Sequence, residues 1–217
     1  MFLKKRLLGG MAHQFPILGK LRKNEDGIAA IEFAFIAPIM IGLYFGMSEI
    51  AMGIMADRNV AHATAVTADL SSQLPTYDAS QIGDVMTATV AVLGVPQNKL
   101  GSITVELSSY EMDTSGTVSR VGYARLGPTI SSGGPATYDP SVLSAQMLNS
   151  QSGAVVARIN YQYTPTTFKF MDNMTLSETL VMKPRKSITI PFDEGGVNSF
   201  NCSVGTDRMV SCSVATA

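Results

Sequence analysis

The sequence predicts an α+β fold, in which one long N-terminal transmembrane helix continues into a domain with an antiparallel β-sheet. Three patterns lead to this class. Residues 28–56 are almost uniformly apolar, residues 57–94 repeat apolar positions at helical spacing, and residues 95–192 alternate apolar and polar positions as strands do. A long helix packed on such a sheet can bury a core in a chain of 217 residues.

The apolar segment is the first predicted element. Only Glu32 and Glu49 interrupt residues 28–56, and residues 33–48 contain no charge at all. A helix needs roughly 20 apolar residues to cross the hydrocarbon core of a bilayer. We therefore expect a transmembrane helix over residues 28–56, with a kink at Pro38, where proline removes one backbone hydrogen bond.

Charge predicts the orientation of this helix. Residues 1–27 hold six lysines and arginines and two acids, a net charge of +4, whereas the whole chain holds 16 basic and 17 acidic residues. The positive-inside rule keeps a basic leader in the cytoplasm and places the residues after the helix across the membrane. The remainder is acidic, which gives no electrostatic reason to bind nucleic acid.

A secretory signal peptide is the alternative interpretation of this region. The tripeptide Ala61-His62-Ala63 has the small-x-small form that signal peptidases accept. Secretory signals, however, have an apolar core of about 7–15 residues after a short basic start. Here a polar leader of 27 residues precedes a longer apolar segment, and this favours an anchor that stays in the mature protein over cleavage near Ala63.

Helical periodicity continues beyond the anchor. Apolar or small residues at steps of three and four predict that the first helix runs on and ends before Pro75, packing on the protein's own domain rather than in a coiled coil. These positions are Val60, Ala63, Thr67, Leu70 and Leu74. A second helix should begin at Asp78–Gln81 and end at Gly94. Its expected core face consists of Ile82, Val85, Met86, Thr89, Val90 and Leu93.

Strand signals follow from residue 95 to residue 192. Ile103, Val105, Leu107 and Ser109 share one face of a first strand, and a turn at 113–116 leads into a second strand over 117–126. Three to five strands are expected in total. The remaining predictions are strands at 154–163 and 174–182, an edge strand at 187–191, an exposed loop at 127–140 and a short helix at 141–148.

The C-terminal segment, residues 193–217, contains both cysteines. Cys202 and Cys212 enclose Ser203 to Ser211 after a glycine-rich joint, which is consistent with a small disulfide-bonded hairpin in an oxidising compartment. The alternative is a flexible tail with two free thiols, which would be reactive.

The sequence offers little for catalysis. Its two histidines, His13 and His62, lie in the leader and just past the anchor, and no nucleophile, phosphate-binding or zinc motif occurs. Glu106, Glu111 and Glu178 alternate with apolar residues on strands, so we expect them to face solvent. No enzyme activity, cofactor or metal site is predicted.

The junction between leader and anchor carries the most specific motif. Four charged or polar residues precede Gly27, four apolar residues follow, and then come Glu32 and Phe33. This order resembles the type IV prepilin processing motif. Glycine permits close approach of a protease to the backbone, and the charged run holds the bond at the cytoplasmic face. We expect cleavage between Gly27 and Ile28.

Glu32 is the only acid in residues 28–48. A carboxylate at the hydrocarbon edge is costly unless it has a partner. The resemblance to pilins implies that Glu32 pairs with the new N-terminal amine, at Ile28, of a neighbouring subunit. Alternatively, Glu32 reaches the headgroups of a plain anchor and recognises nothing.

The leader, the Glu32-Phe33 pair and the apolar run together resemble the TadE/TadG-like minor pseudopilins of the tight adherence (Flp, type IVc) pilus. The resemblance covers residues 20–75 well and 155–187 loosely, through Tyr161-Gln162-Tyr163-Thr164-Pro165 and the Met182-Lys183-Pro184-Arg185 run. It implies a pilin-like fold and an accessory subunit that acts in assembly or initiation of the pilus.

The resemblance also implies partners and a location. The partners are a prepilin peptidase, the major Flp pilin, other minor pseudopilins, the inner-membrane platform with its motor ATPase, an outer-membrane secretin and membrane lipid. The location is the bacterial inner membrane, crossed once, with the C-terminal domain in the periplasm or carried into an extracellular pilus. The competing hypothesis is a membrane-tethered periplasmic binding or adhesion module outside any pilus.

Overall fold

The computed structural model describes residues 26–127, 143–144, 147–148, 152–165 and 171–215. They form two α-helices, a 3-10 helix and one sheet of six strands, which confirms the α+β class. The helices are α1 (Asp26–Ser71), α2 (Ala79–Leu93) and the 3-10 helix Gln97–Ser102. The strands are β1 (Ile103–Met112), β2 (Val118–Leu126), β3 (Gly153–Tyr163), β4 (Met174–Met182), β5 (Ser199–Val204) and β6 (Val210–Val214).

Helix α1 is continuous for 46 residues and includes Pro38. It begins two residues before the predicted Ile28 and ends at Ser71, ahead of Pro75. The chain divides into two compact units, the first ending at Ser48 and the second beginning at Glu49. The kink at Pro38 and the predicted domain boundaries stay predictions.

The second unit places the C-terminal part of α1 in its core. Of the predicted stripe, Val60, Ala63 and Thr67 are buried, and Leu70 and Leu74 pack half-buried against the same core. Packing on the protein's own domain is therefore confirmed. The spacing of three and four residues brings these side chains to one face, as helical geometry requires.

Helix α2 matches its prediction closely. Asp78 caps it, with its side chain accepting a hydrogen bond from the Gln81 amide, and the Gln81 side chain completes a capping box. Gly94 ends the helix in the left-handed conformation, with φ of 63°. All six residues of the predicted core face are buried.

A pair of buried hydroxyl groups joins the two helices. The Oγ1 atoms of Thr67 and Thr89 lie 2.6 Å apart, and each also lies within hydrogen-bond distance of a carbonyl oxygen one turn earlier in its own helix. The two groups have only two hydrogens for these three contacts, so the threonine that donates to the other hydroxyl does not also donate to its own helix carbonyl. This satisfies both polar groups inside the core.

The strands of the sheet follow the order β4-β3-β1-β2-β5-β6. Four of the five pairings are antiparallel, as predicted, but β2 and β5 pair in parallel, so the sheet is mixed. Six strands exceed the expected three to five because the C-terminal hairpin, β5 and β6, joins this sheet. The predicted bounds of β4 are confirmed, and β2 and β3 differ from prediction by one residue.

The prediction of an edge strand at 187–191 is wrong, because these residues form no strand. This segment makes single contacts instead: the Ile188 carbonyl accepts from the Gly153 amide, and the Pro191 carbonyl accepts from the Tyr77 amide. The chain here passes from β4 at one edge of the sheet toward β5 on the other side of β2. The predicted loop at 127–140 lies outside the described residues except for Gly127, and so does most of the predicted helix at 141–148.

The disulfide between Cys202 and Cys212 is confirmed, and the alternative of two free thiols is wrong. The two residues face each other on β5 and β6, with Cα atoms 4.0 Å apart. Cys202 is buried in the core beside Phe200 and Val210. The bond therefore fixes the hairpin that closes one side of the core.

Replacing both cysteines, with Cys202→Ser and Cys212→Ser, should lower the free energy of unfolding by about 2–3 kcal/mol, because the bond restricts a short loop in the unfolded chain. Urea unfolding of the full-length protein in detergent measures this. A reductant should affect the wild type and leave the double variant unchanged. Equal urea midpoints for oxidised wild type and variant would show that the disulfide contributes nothing.

Candidate processing and assembly site

The bond between Gly27 and Ile28 lies in the first turn of helix α1. Both residues are exposed, and a side chain at Gly27 would meet nothing within 4 Å. The first four amides of a helix lack intrahelical acceptors, and glycine weakens a helix by about 1 kcal/mol relative to alanine. This peptide bond is therefore open to a protease and easily unwound.

Glu32 and Phe33 lie one turn further along the same helix. Four residues rise about 6 Å, so Glu32 follows Ile28 on one helical face. Glu32 is exposed and forms no ion pair with any residue that the structure describes, and Phe33 is 71% exposed. Both side chains are available to another molecule.

The surface that follows is apolar on every side. Apart from the half-buried Phe45, the large hydrophobic residues from Ile28 to Met47 are more than half exposed. Among the described helices, α1 alone is long and apolar enough to cross a membrane, and its most apolar 18-residue window is not buried inside the protein. A core helix of a soluble domain would bury such a window, so this surface suits a lipid environment.

A protein-family model with the description TadE-like protein matches residues 27–69. Residues 27–69 of this chain are thus similar to TadE-like proteins. The TadE-like segment begins at Gly27, covers nearly all of helix α1, and contains Ile28, Glu32, Phe33 and Pro38. It confirms the resemblance given for the N-terminal region. The chain matches no curated protein and no solved structure.

The TadE-like segment contains a second acid, Glu49, whose surroundings differ from those of Glu32. Glu49 is fully buried, and Gly53, one turn later, lies against the side chains of Tyr163 and Met171. Burial raises the pKa of Tyr163, and the charge of Glu49 raises it further. Glu49 thus belongs to the folded domain, whereas Glu32 lies on an open surface.

Sequence reasoning treated Glu49 only as an interruption of the apolar run. A usable signal was present, because an acid and a glycine four residues apart share one helical face. Gly53 leaves room for Met171, whose terminal carbon lies 3.5 Å from the position of an added Cβ. Which strand residues would meet that face depends on the tertiary fold.

The structure also corrects the expectation for Glu106. It was predicted to face solvent, but its side chain is only 16% exposed and lies 3.4 Å from the guanidinium of Arg125. The Tyr123 hydroxyl donates a hydrogen bond to the same carboxylate. The pKa of Tyr123 is raised to about 12, mainly because the hydroxyl is buried and secondly because of the nearby charge of Glu106. Glu178 is exposed, as expected, and Glu111 is partly exposed.

Within the described parts of the chain, no group of three or more histidine, cysteine or acidic side chains could hold a metal ion. An apolar pocket near the disulfide is lined by residues from α2, β1, β2 and β5, among them Val90, Ile103, Leu126 and Cys202. Ser203 is the only polar side chain of that lining. The candidate functional residues of the described structure are therefore those at the start of α1.

Proposed function

We propose that this protein is a minor pseudopilin that acts in the assembly or initiation of a tight adherence (Tad/Flp) pilus. The observation that carries the proposal is the exposed Glu32, one turn after the Gly27–Ile28 bond and at the start of an apolar helical surface, in a segment that is TadE-like. Supporting features are the basic leader and the charge-free run 33–48.

In this proposal the basic leader stays in the cytoplasm, α1 crosses the inner membrane once, and the sheet domain lies in the periplasm. A prepilin peptidase cuts between Gly27 and Ile28 at the cytoplasmic face. Cleavage removes the charged leader and creates an amine at Ile28. The peptidase, the major Flp pilin, other minor pseudopilins and the inner-membrane platform are the partners, with lipid around α1.

The new amine gives Glu32 a partner of opposite charge. A single carboxylate at the edge of the hydrocarbon core is unfavourable, and ion pairs are strong where water is scarce. A neighbouring subunit that presents its Ile28 amine to Glu32 relieves this cost. Because one charge must meet one charge, the contact also fixes how far the two helices are shifted along each other.

A membrane-tethered binding module is the second candidate function. The observation in its favour is that the family match ends at residue 69, so the whole sheet domain lies outside it. In that case α1 serves only as an anchor and remains uncut. Processing at Gly27 separates the two candidates.

Gly27→Leu should prevent cleavage, because a large side chain blocks approach of the protease to the backbone. Co-expression with a prepilin peptidase and intact-mass measurement should give a wild-type chain that begins at Ile28 and a Gly27→Leu chain that keeps its leader. Gly42→Leu is the matched control, since Gly42 lies deeper in α1 with nothing near an added side chain, and it should be cut normally. If wild type and Gly27→Leu have the same N-terminus, the processing proposal is wrong.

Glu32→Gln should leave insertion and cleavage intact but lower incorporation into pili about tenfold or more, because a desolvated charge pair is lost. Immunoblots of sheared pilus fractions and of membranes measure the two populations. Asp57→Asn, which removes an exposed acid of α1 beyond the charge-free run, is the control and should behave as wild type. Normal piliation by Glu32→Gln would remove the proposed role of Glu32.

A further inference from the structure

The two edges of the sheet differ in how they are covered. At one edge, β6 lies against helix α2: the Val210 amide donates to Thr87 Oγ1 at 2.9 Å, and an added Cβ at Gly83 would lie 2.8 Å from the Val210 carbonyl oxygen. At the other edge, no strand among the described residues pairs with the outer side of β4. Within the described part of the chain, the β4 edge is thus the one left without a neighbour.

Strand β4 lacks most of the devices that protect sheet edges. Its nine residues pair with β3 in one uninterrupted register, and they include no proline, no glycine and a single charge, Glu178. Proteins usually shield edges with bulges, prolines or several charges. Every second residue directs its amide and carbonyl away from β3, so about four residues of β4 have backbone groups that pair with no strand among the described residues.

The side of β4 that faces the helices is only partly covered. Met174, Leu176, Leu180 and Met182 lie half-buried against the main core on this side. Pairing with β3 places Glu178 in the same row, since Glu178 is opposite Ile159, a core residue. The carboxylate is exposed and has no ion-pair partner among the described residues. One further strand would cover the apolar row and place a residue opposite Glu178.

The charge of Glu178 selects among the possible strands. Glu178 is the middle residue of β4, so antiparallel pairing with a second copy, centred on that residue, would place two carboxylates opposite each other. Like charges at facing positions destabilise a sheet, whereas opposite charges stabilise it. Self-pairing in that register is therefore disfavoured, and a lysine or arginine on a different polypeptide is favoured.

We propose that β4 is a docking edge for an extended segment of another polypeptide, which adds a seventh strand to the sheet. The segment alternates apolar residues over the half-buried row with polar residues on the other face, and it carries a lysine or arginine opposite Glu178. Backbone hydrogen bonds supply the attachment and the basic residue supplies the selectivity. The inference does not depend on the role of Glu32 or on cleavage at Gly27.

The probe is a labelled nine-residue peptide, Val-Thr-Val-Thr-Lys-Thr-Val-Thr-Val, which reads the same in both directions and fits either strand orientation. A second peptide has glutamate in place of the central lysine. Fluorescence anisotropy with full-length protein in detergent micelles should show about fivefold tighter binding of the lysine peptide. Glu178→Lys should reverse this preference and Glu178→Gln should abolish it, while Asp84→Lys, on the exposed side of α2, should keep it.

Hydrogen exchange locates the bound peptide. The lysine peptide should slow exchange of amides in 174–182 and leave 210–214 unchanged. Equal affinities for the two peptides, protection outside β4, or a dimer of the wild-type chain that protects β4 without peptide would each overturn the proposal. A failure here leaves the cleavage result at Gly27 intact, so the two proposals are tested separately.

Discussion

One continuous helix has to satisfy two different environments, and the rest of the structure depends on this constraint. Up to Ser48, α1 is apolar on all sides and exposed, which suits lipid. From Glu49 onward only one face is buried, and small residues such as Gly53 and Ala63 on that face allow close packing. The helix is continuous across Ser48 and Glu49, so the difference between the two parts lies in their side chains and not in the backbone.

The two acids of α1 show what this constraint means for function. Glu49 is enclosed by its own domain, where it adds to the raised pKa of Tyr163. Glu32 lies on the exposed part, where the described chain supplies no oppositely charged partner. A buried acid that its own domain surrounds is out of reach of another subunit, whereas an exposed acid in an apolar segment can be reached by one. This difference is the physical basis for proposing that Glu32, and not Glu49, acts in assembly.

Local sequence patterns were sufficient for the elements with strong periodicity. The six-residue face of α2, its Asp78 cap and the bounds of β4 followed from spacing and capping chemistry alone. The parallel pairing of β5 with β2 did not, because parallel strands are joined over long distances and leave no turn signal. Ile188 and Ile190 alternate with polar residues as in a strand, and this led to the wrong prediction of an edge strand. Ile188 is 67% exposed, whereas Ile190 lies in the core. The burial of Glu49 and Glu106 likewise depends on partners distant in sequence.

The site at the start of α1 is the opposite case, because its residues are neighbours in sequence and a helix keeps them neighbours in space. The most direct test is therefore to measure at which residues α1 leaves the membrane and becomes accessible to water. Met40→Cys and Asp57→Cys, labelled in spheroplasts with a membrane-impermeant maleimide, report it, since the native cysteines are disulfide-bonded. We expect Asp57→Cys to react and Met40→Cys to stay unlabelled. Equal labelling of both, or reaction of Asp57→Cys only after lysis, would contradict a helix that passes from lipid into a periplasmic domain.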